Sequence, residues 1–221
     1  MEVRIFLVFM ISSKKELQFY IMADTMINRG YFKASLLRRL AQLANPDIVV
    51  DFLYSMRKYS YYNSHQKGLL NRLWGLYYKA KFLKLSKKCG FSIGADCFGY
   101  GLLIHHYGTI VCGSNNRIGN FAVLNTSVCI TQNASQIGDF FFIGTGAVIS
   151  KGVQLGSNVK VAANTVISKS YPEDHIVLAG QPGVVKKTTT NTWIDDYDNV
   201  SGTVWGNRYK KIMELKQKMK I

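Results

Sequence analysis

The apolar positions of this chain follow two rhythms, and the slower one carries most of the information. From Ile137 onward every sixth residue is aliphatic: Ile137, Ile143, Ile149, Leu155, Val161 and Ile167. The next residue is often small (Gly138, Gly144, Gly156, Ala162). Four residues after the aliphatic come Ala147, Val153, Val159 and Thr165, with Phe141 the bulky exception. A period of six fits neither a helix at 3.6 nor a half-buried strand at 2. It is the spacing of a hexapeptide β-helix, in which six residues form one short side of a triangular coil. Each inward aliphatic stacks on its counterpart eighteen residues later, and the small neighbour lets the chain turn the corner. Alternating strands of a sandwich would not hold one phase for so long. Ile118, Leu124 and Ile130 already stand six apart, so the repeat begins earlier. A seventh residue intrudes between Ile130 and Ile137, around Gln132-Asn133-Ala134-Ser135, and predicts a small loop or corner bulge. The rhythm fades at Ser170-Tyr171-Pro172, and Gly180-Gln181-Pro182-Gly183 closes it.

Upstream the rhythm is helical. Ser13-Lys14-Lys15-Glu16 has capping-box spacing and predicts a helix to about Asn28, with Gly30 as its terminator. Leu36, Leu37, Leu40 and Leu43 predict a second helix, ended by Asn45-Pro46. The same pair opens a third, with Pro46 at its first position and Asp47 in its first turn, carried on by Ile48, Val49, Phe52, Leu53 and Met56. A fourth runs from about Gln66 to Lys88, with Leu69, Leu73, Leu76, Tyr77 and Leu83 as its expected inward set. The cluster Tyr59, Tyr61, Tyr62, Trp74, Tyr77, Tyr78 and Phe82 reads as packing, not a ligand box. Residues 188–204 read as a polar, irregular arm. A short basic helix from about Asn207 to Lys220 has few hydrophobic positions, which suits docking on another subunit.

These rhythms divide the chain into an N-terminal helical domain (1–90), a β-helix domain (91–187) and a C-terminal arm and helix (188–221). The expected fold class is mainly β. The formal charge of +15 sits on the flanks. Residues 1–90 carry 16 Lys+Arg against 5 Asp+Glu, residues 91–185 carry 4 against 4, and residues 186–221 carry 8 against 4. A neutral repeat region speaks against a nucleic-acid channel along it. The basic flanks suit an anionic membrane surface, an acidic polymer or cofactor phosphates. Cys89, Cys97, Cys112 and Cys129 form no CxxC pair and read as reduced, buried thiols of a cytoplasmic protein, with no metal site. The apolar run Ile5–Ile11 is too short to span a bilayer and reads as a core or interface strand.

The reactive candidate is Gly101-Leu102-Leu103-Ile104-His105-His106-Tyr107-Gly108-Thr109-Ile110-Val111, which places two of the four histidines at the start of the coils. Histidine is the natural general base near neutral pH, although two adjacent histidines also suit a hydrogen-bonded corner. This segment, the coils after it and Leu178-Ala179-Gly180-Gln181-Pro182-Gly183-Val184-Val185-Lys186 resemble the serine acetyltransferase branch of the hexapeptide acyltransferases over about residues 70–187. The likeness is strongest to members found in polysaccharide-synthesis gene sets. It implies a left-handed parallel β-helix, against the usual right-handed crossover. It also implies a homotrimer or dimer of trimers with active sites between subunits, and acetyl-CoA as co-substrate.

On that comparison His106, beside His105, is the catalytic base, and Tyr107 and Asn125 face the acceptor. Gly144, Thr145, Lys160, Ala163 and Thr165 line the cofactor groove, with Lys160 or Lys186 meeting CoA phosphates. The chain departs from serine acetyltransferases proper at three places. His105 replaces the aspartate before the base. Phe91 stands where an aspartate orients the histidine ring, leaving Asp96 as the nearest substitute. The Thr131–Gln136 stretch is short and lacks a histidine, and Asn125 stands where polysaccharide-group relatives often have one. The expected activity is therefore O-acetylation of a sugar or cell-surface glycan hydroxyl, at the inner face of the membrane or free in the cytoplasm. Serine O-acetylation and a non-catalytic scaffold are the alternatives.

Overall fold

The computed structural model describes residues 11–221, apart from the side chains at positions 39, 42 and 43. All of the Ile5–Ile11 run except Ile11 lies outside the described residues.

The six-residue rhythm folds as short parallel strands in three sheets, one for each side of the coil. One sheet holds β1 (Phe91–Ile93), β3 (Ile110–Cys112), β6 (Val128–Ile130), β9 (Val148–Ile149) and β12 (Val166–Ile167). A second holds β4 (Arg117–Ile118), β7 (Gln136–Ile137) and β10 (Gln154–Leu155). The third holds β2 (Leu103–Ile104), β5 (Val123–Leu124), β8 (Phe142–Ile143), β11 (Lys160–Val161) and β13 (Ile176–Ala179), and β14 (Val184–Thr188) adds to it antiparallel. Val161 pairs with Ile143, Leu155 with Ile137 and Ile167 with Ile149, each eighteen residues apart as the period requires. These aliphatics are buried in one continuous core.

The extra residue before Ile137 lengthens the register to nineteen, as in Ile118↔Ile137 and Leu124↔Ile143. A second slip, not anticipated from the sequence, adds two residues between Ile104 and Cys112, so Ile104 pairs with Leu124 twenty residues on while Cys112 pairs with Ile130 eighteen on. Asn116, in the regular corner on the coil before, braces the irregular corner that precedes Ile137. Fully buried, it donates from Nδ2 to the carbonyls of Gly113 and Thr131, each at 2.9 Å, and accepts from the Ser135 N–H at 2.9 Å. A buried amide with both ends bonded costs little and fixes where each loop sits.

The helices begin and end largely where their capping residues put them. Ser13 caps α1 (Lys14–Arg29) by accepting from the Glu16 N–H, and Gly30 closes it at φ 79°. The Glu16 carboxylate reaches Ser12 and not Ser13, so the box is displaced by one residue. α2 spans Leu36–Ala44 and ends at Asn45. For α3 (Ile48–Ser64) the cap is Asp47, which accepts from the Val50 N–H, so Asp47 stands ahead of the first turn and not in it. α4 spans Leu69–Cys89 and ends at Gly90, φ 78°.

The inward set expected for α4 is wrong. Leu69 is 73% exposed and Leu83 47%, and Leu73, Leu76 and Tyr77 are exposed as well. Its buried residues are instead Phe82, Ser86 and Cys89, because among the described residues α4 lies chiefly against α3 and meets the coil at its C-terminal end. Tyr59 stacks on Phe82, and Tyr62 stacks on Trp74 and Tyr78, which is packing as expected. Val49, Phe52, Leu53 and Met56 of α3 share the core of the coils.

The C-terminal segment is more ordered than expected. The supposed irregular arm contains α5 (Trp193–Ser201), followed by α6 (Val204–Lys218). Thr192 donates its N–H to the Asp195 carboxylate, a cap with the three-residue offset that the sequence displays. α5 lies on the third sheet through Trp193, which is buried and donates Nε1–H to the Phe121 carbonyl at 2.7 Å. α6 packs along α1 of the same chain, with Ile212 buried between them.

Candidate functional site

The corner after the third sheet collects the candidate residues. Ile104 pairs with Leu124, Leu124 with Ile143 and Ile143 with Val161, so the chain leaves this sheet at His105, Asn125, Gly144 and Ala162 on successive coils. The loop from His105 to Thr109 is two residues longer than the corners below it, so Gly108, and not His106, comes to lie over Thr126. His106, Tyr107, Thr145 and Ala163 are exposed, whereas His105 is half-buried and Gly144 is buried. The histidine pair and three of the expected groove residues, Gly144, Thr145 and Ala163, thus lie at the end of the same sheet.

α1 and α3 hold the segment that presents the histidines. Asp24 and Asn28 lie one turn apart on the buried face of α1. Asn28 donates from Nδ2 to the Leu102 carbonyl at 2.8 Å and accepts from the Ile104 N–H at 3.2 Å. Asp24 accepts from the N–H groups of Gly101 and Leu102, at 2.8 and 3.0 Å, and from Arg57 Nε at 2.8 Å. Arg57 also donates to the carbonyls of Phe98 and Gly99, at 2.7 and 2.6 Å. Burial pushes the Asp24 carboxyl up, while Arg57 and the two backbone N–H groups favour its charged form. On the far side, Gly108 donates its N–H to the Cys89 carbonyl at 2.8 Å. The loop from His105 to Thr109 is therefore held at both ends.

The histidines differ in their surroundings. His105 Nε2 lies 3.1 Å from the Tyr197 hydroxyl, and the His105 ring meets the Trp205 ring edge-on at 5.8 Å. Burial, then the nearby His106, Arg208 and Arg29, push the His105 pKa down, so its imidazole is neutral at neutral pH. Among the described residues His106 makes a ring contact with His105, at 6.2 Å, and it faces solvent. A solvent-facing imidazole can approach a hydroxyl; the half-buried one is already engaged.

Several expected site residues lie elsewhere or are occupied. Thr165 is fully buried, and its hydroxyl accepts from the Gly180 N–H at 3.3 Å, so its side chain packs inside the coil instead of lining a groove. Lys160 stands on the outer face of the third sheet, where α5 covers it, and pairs with Asp196 instead of facing the corner. Asn125 donates to the Ile143 carbonyl at 2.9 Å, which turns its amide along the coil. Asp96 accepts from the Ser60 hydroxyl and is not seen bonded to either histidine. Lys186 is exposed on β14. A Cβ on Gly144 would stand 2.6 Å from the Ala163 nitrogen, so glycine there permits the coils to stack closely. Among the described residues no cluster of His, Cys, Asp or Glu could hold a metal ion, and no helix is long and apolar enough to cross a membrane.

Sequence reasoning did not single out Asp24, Asn28, Arg57, Tyr197, Trp205 or Arg208. One signal existed: two polar residues at i and i+4 inside the apolar face of α1 are costly unless each finds a partner.

Comparison with known proteins agrees with this architecture. Residues 134–169 match the family described as bacterial transferase hexapeptide (six repeats). A serine acetyltransferase of Synechococcus elongatus is 28% identical over 94 residues, covering 39% of this chain and 38% of that protein. The chain thus spans well under half the length of that curated relative. Among solved structures, Neisseria gonorrhoeae serine acetyltransferase superposes with a TM-score of 0.56 at 20% identity, covering 82% of this chain and 69% of the other. The Brucella abortus serine acetyltransferase gives 0.54 at 19% identity, covering 78% and 68%. Residues 134–169 thus match the hexapeptide transferase repeats, and the chain shares the left-handed parallel β-helix fold of the solved serine acetyltransferases.

Proposed function

We propose that this chain is an acetyl-CoA-dependent O-acetyltransferase in which His106 is the general base. The observation that carries the reading is the end of the third sheet: an exposed imidazole in the long His105–Thr109 loop, above a rim of small residues, Thr145 and Ala163, and the buried Gly144. A rim without bulky side chains lets a slender arm lie against the backbone, so these residues fit a pantetheine chain. Lys186, exposed on the last strand, supplies charge toward phosphates. Acetyl-CoA, when bound, supplies a thioester acetyl group.

His106 takes the proton of the acceptor hydroxyl as the oxygen attacks the thioester carbonyl, and returns it to the departing thiolate. Backbone N–H groups of the corner hold the oxyanion between these steps. Asp24, Asn28 and Arg57 act earlier in the chain of cause, by fixing the backbone from which His106 projects. A corner that leaves His106 open to solvent on one subunit suits completion by a second, so the active assembly is a homotrimer with sites between neighbours.

Two acceptors fit. Similarity to serine acetyltransferases favours L-serine. The resemblance-based departures at His105, Asn125 and the Thr131–Gln136 corner favour a sugar or glycan hydroxyl. Of the two, serine has the more direct support. Thiol release from acetyl-CoA, measured with L-serine and with a panel of sugars, tests the reading. Wild type should release thiol only with an acceptor, and His106→Ala should lose about two to four orders of magnitude in kcat while its oligomeric state stays unchanged. Full activity in that variant removes His106 as the base. Failure of wild type to bind acetyl-CoA by calorimetry makes the chain a non-catalytic scaffold.

A further inference from the structure

α4 is apolar on two opposite sides, and the described residues cover one of them. Phe82 and Cys89 turn into the core shared with α3 and the coil. Leu69, Leu73 and Leu76 follow one another at i, i+4 and i+7 on the other side, with Leu70 and Tyr77 beside them, and each of the five is more than half exposed. A helix that is apolar on both sides is ordinarily buried on both, so the bare stripe marks a contact beyond those described.

The charges around the stripe say what that contact is. α4 holds Arg72, Lys79, Lys81, Lys84, Lys87 and Lys88 and not one acid. Asp51 of α3 lies within electrostatic reach of Lys81 and Lys88 and offsets part of this charge, but Lys58 of α3 adds to it over the Tyr54 and Tyr78 rings. Two copies of α4 face to face would set cations against cations with no acid on either helix, which disfavours a second copy as the occupant. Arg72 and Lys79 also line a groove of about 340 Å³ between α3 and α4, with Tyr59, Tyr62 and Gln66, and Leu76 of the bare stripe lines it too. Leucines outward, the half-exposed Trp74 and Tyr77 at their shoulders and long basic side chains beyond suit a bilayer surface. There apolar side chains enter the acyl boundary while lysine stems run up to anionic headgroups. α4 is not apolar enough to cross a membrane, so its place is on the surface. α2 has the same character: Leu36, Leu37 and Leu40 are exposed, and the helix holds no acid.

We propose that α4 docks on an anionic lipid bilayer, with Leu69, Leu70, Leu73 and Leu76 entering the headgroup boundary and Arg72, Lys79, Lys84 and Lys88 meeting lipid phosphates. Docking of this kind is independent of acetyl transfer. Cys89, the last residue of α4, accepts from the Gly108 N–H of the histidine loop, so the docked helix ends at the candidate site.

The test is co-sedimentation of the full-length chain with vesicles of phosphatidylcholine alone and of phosphatidylcholine mixed equally with phosphatidylglycerol. Wild type should sediment with the mixed vesicles and not with the neutral ones, and added salt should release part of it. Leu69→Ser combined with Leu73→Ser should weaken the partition by about ten- to a hundredfold, because apolar area no longer leaves water. Lys84→Gln combined with Lys88→Gln should weaken it by about tenfold or more. Since both leucines are exposed, the urea midpoint of the serine variant should match that of wild type. Absence of binding to the mixed vesicles overturns the proposal, and so does equal binding to both kinds. Binding that the serine variant retains overturns it as well, because that is the mark of ionic attraction to any acidic polymer. A serine variant that unfolds at lower urea shows that the chain itself covers the stripe. One that falls to a smaller oligomer, with no vesicle binding by wild type, shows that a second copy does; either result overturns lipid docking. Thiol release with a soluble acceptor should be the same in all these variants, so failure here leaves the acetyl-transfer reading standing.

Discussion

Asp24 and Arg57, one on each of two helices, form a buried ion pair that grips the backbone of residues 98–102 just ahead of the histidines. Their side chains are 3% and 2% exposed, so water contributes little to either charge. Removing one partner leaves the other charged, buried and uncompensated. Arg57→Met should therefore cost about 3–5 kcal/mol of stability in urea unfolding. A cost under about 1 kcal/mol would show that the pair does not hold the segment.

Asn28 serves the next two residues of the same segment. Asn28→Ala strands the Leu102 carbonyl and the Ile104 N–H in a dry interior, which should cost about 1–3 kcal/mol. Since Ile104 directly precedes His105 and His106, kcat should fall while KM for acetyl-CoA holds steady. Equal loss of both constants would place Asn28 in global folding alone.

Trp193 anchors the C-terminal helices. Trp193→Ala removes a fully buried ring and should cost about 3–5 kcal/mol, whereas Trp193→Phe loses chiefly the bond to the Phe121 carbonyl. Limited proteolysis should cut residues 188–203 faster in the alanine variant than in wild type. Unchanged cutting would mean that α5 is held by other contacts.

His105 gives the stability a pH dependence of known sign. Burial first, then the neighbouring His106, Arg208 and Arg29, hold its pKa below the ordinary histidine range in the folded chain. The unfolded chain therefore takes up the proton first as pH falls through about 6.5. The stability is complete above that value and declines below it, until the folded form also binds the proton. His105→Asn should flatten the fall in urea midpoint between about pH 7.5 and 5.5. An identical slope in the variant would assign the effect to other groups.

The sequence by itself determined the coil and most of the helix ends. The six-residue ladder names the inward positions because each coil repeats one environment, and caps such as Ser13, Gly30 and Gly90 act on the nearest turn. It also marked the slip before Ile137, and it set apart the segment that carries His105 and His106. It misassigned α4, because helical spacing shows that a face is apolar but not that anything covers it; Leu69 and Leu83 face outward. The two-residue slip between Ile104 and Cys112 lies ahead of the long ladder and breaks no run of aliphatics long enough to reveal it. Which polar groups support the histidines was decided only by tertiary structure. Asp24 and Asn28 meet residues 101–104 across more than seventy positions, and Tyr197 reaches His105 across ninety-two. Local rhythm carries no information about such contacts. Only the folded chain, by burying those groups, forces them to find each other.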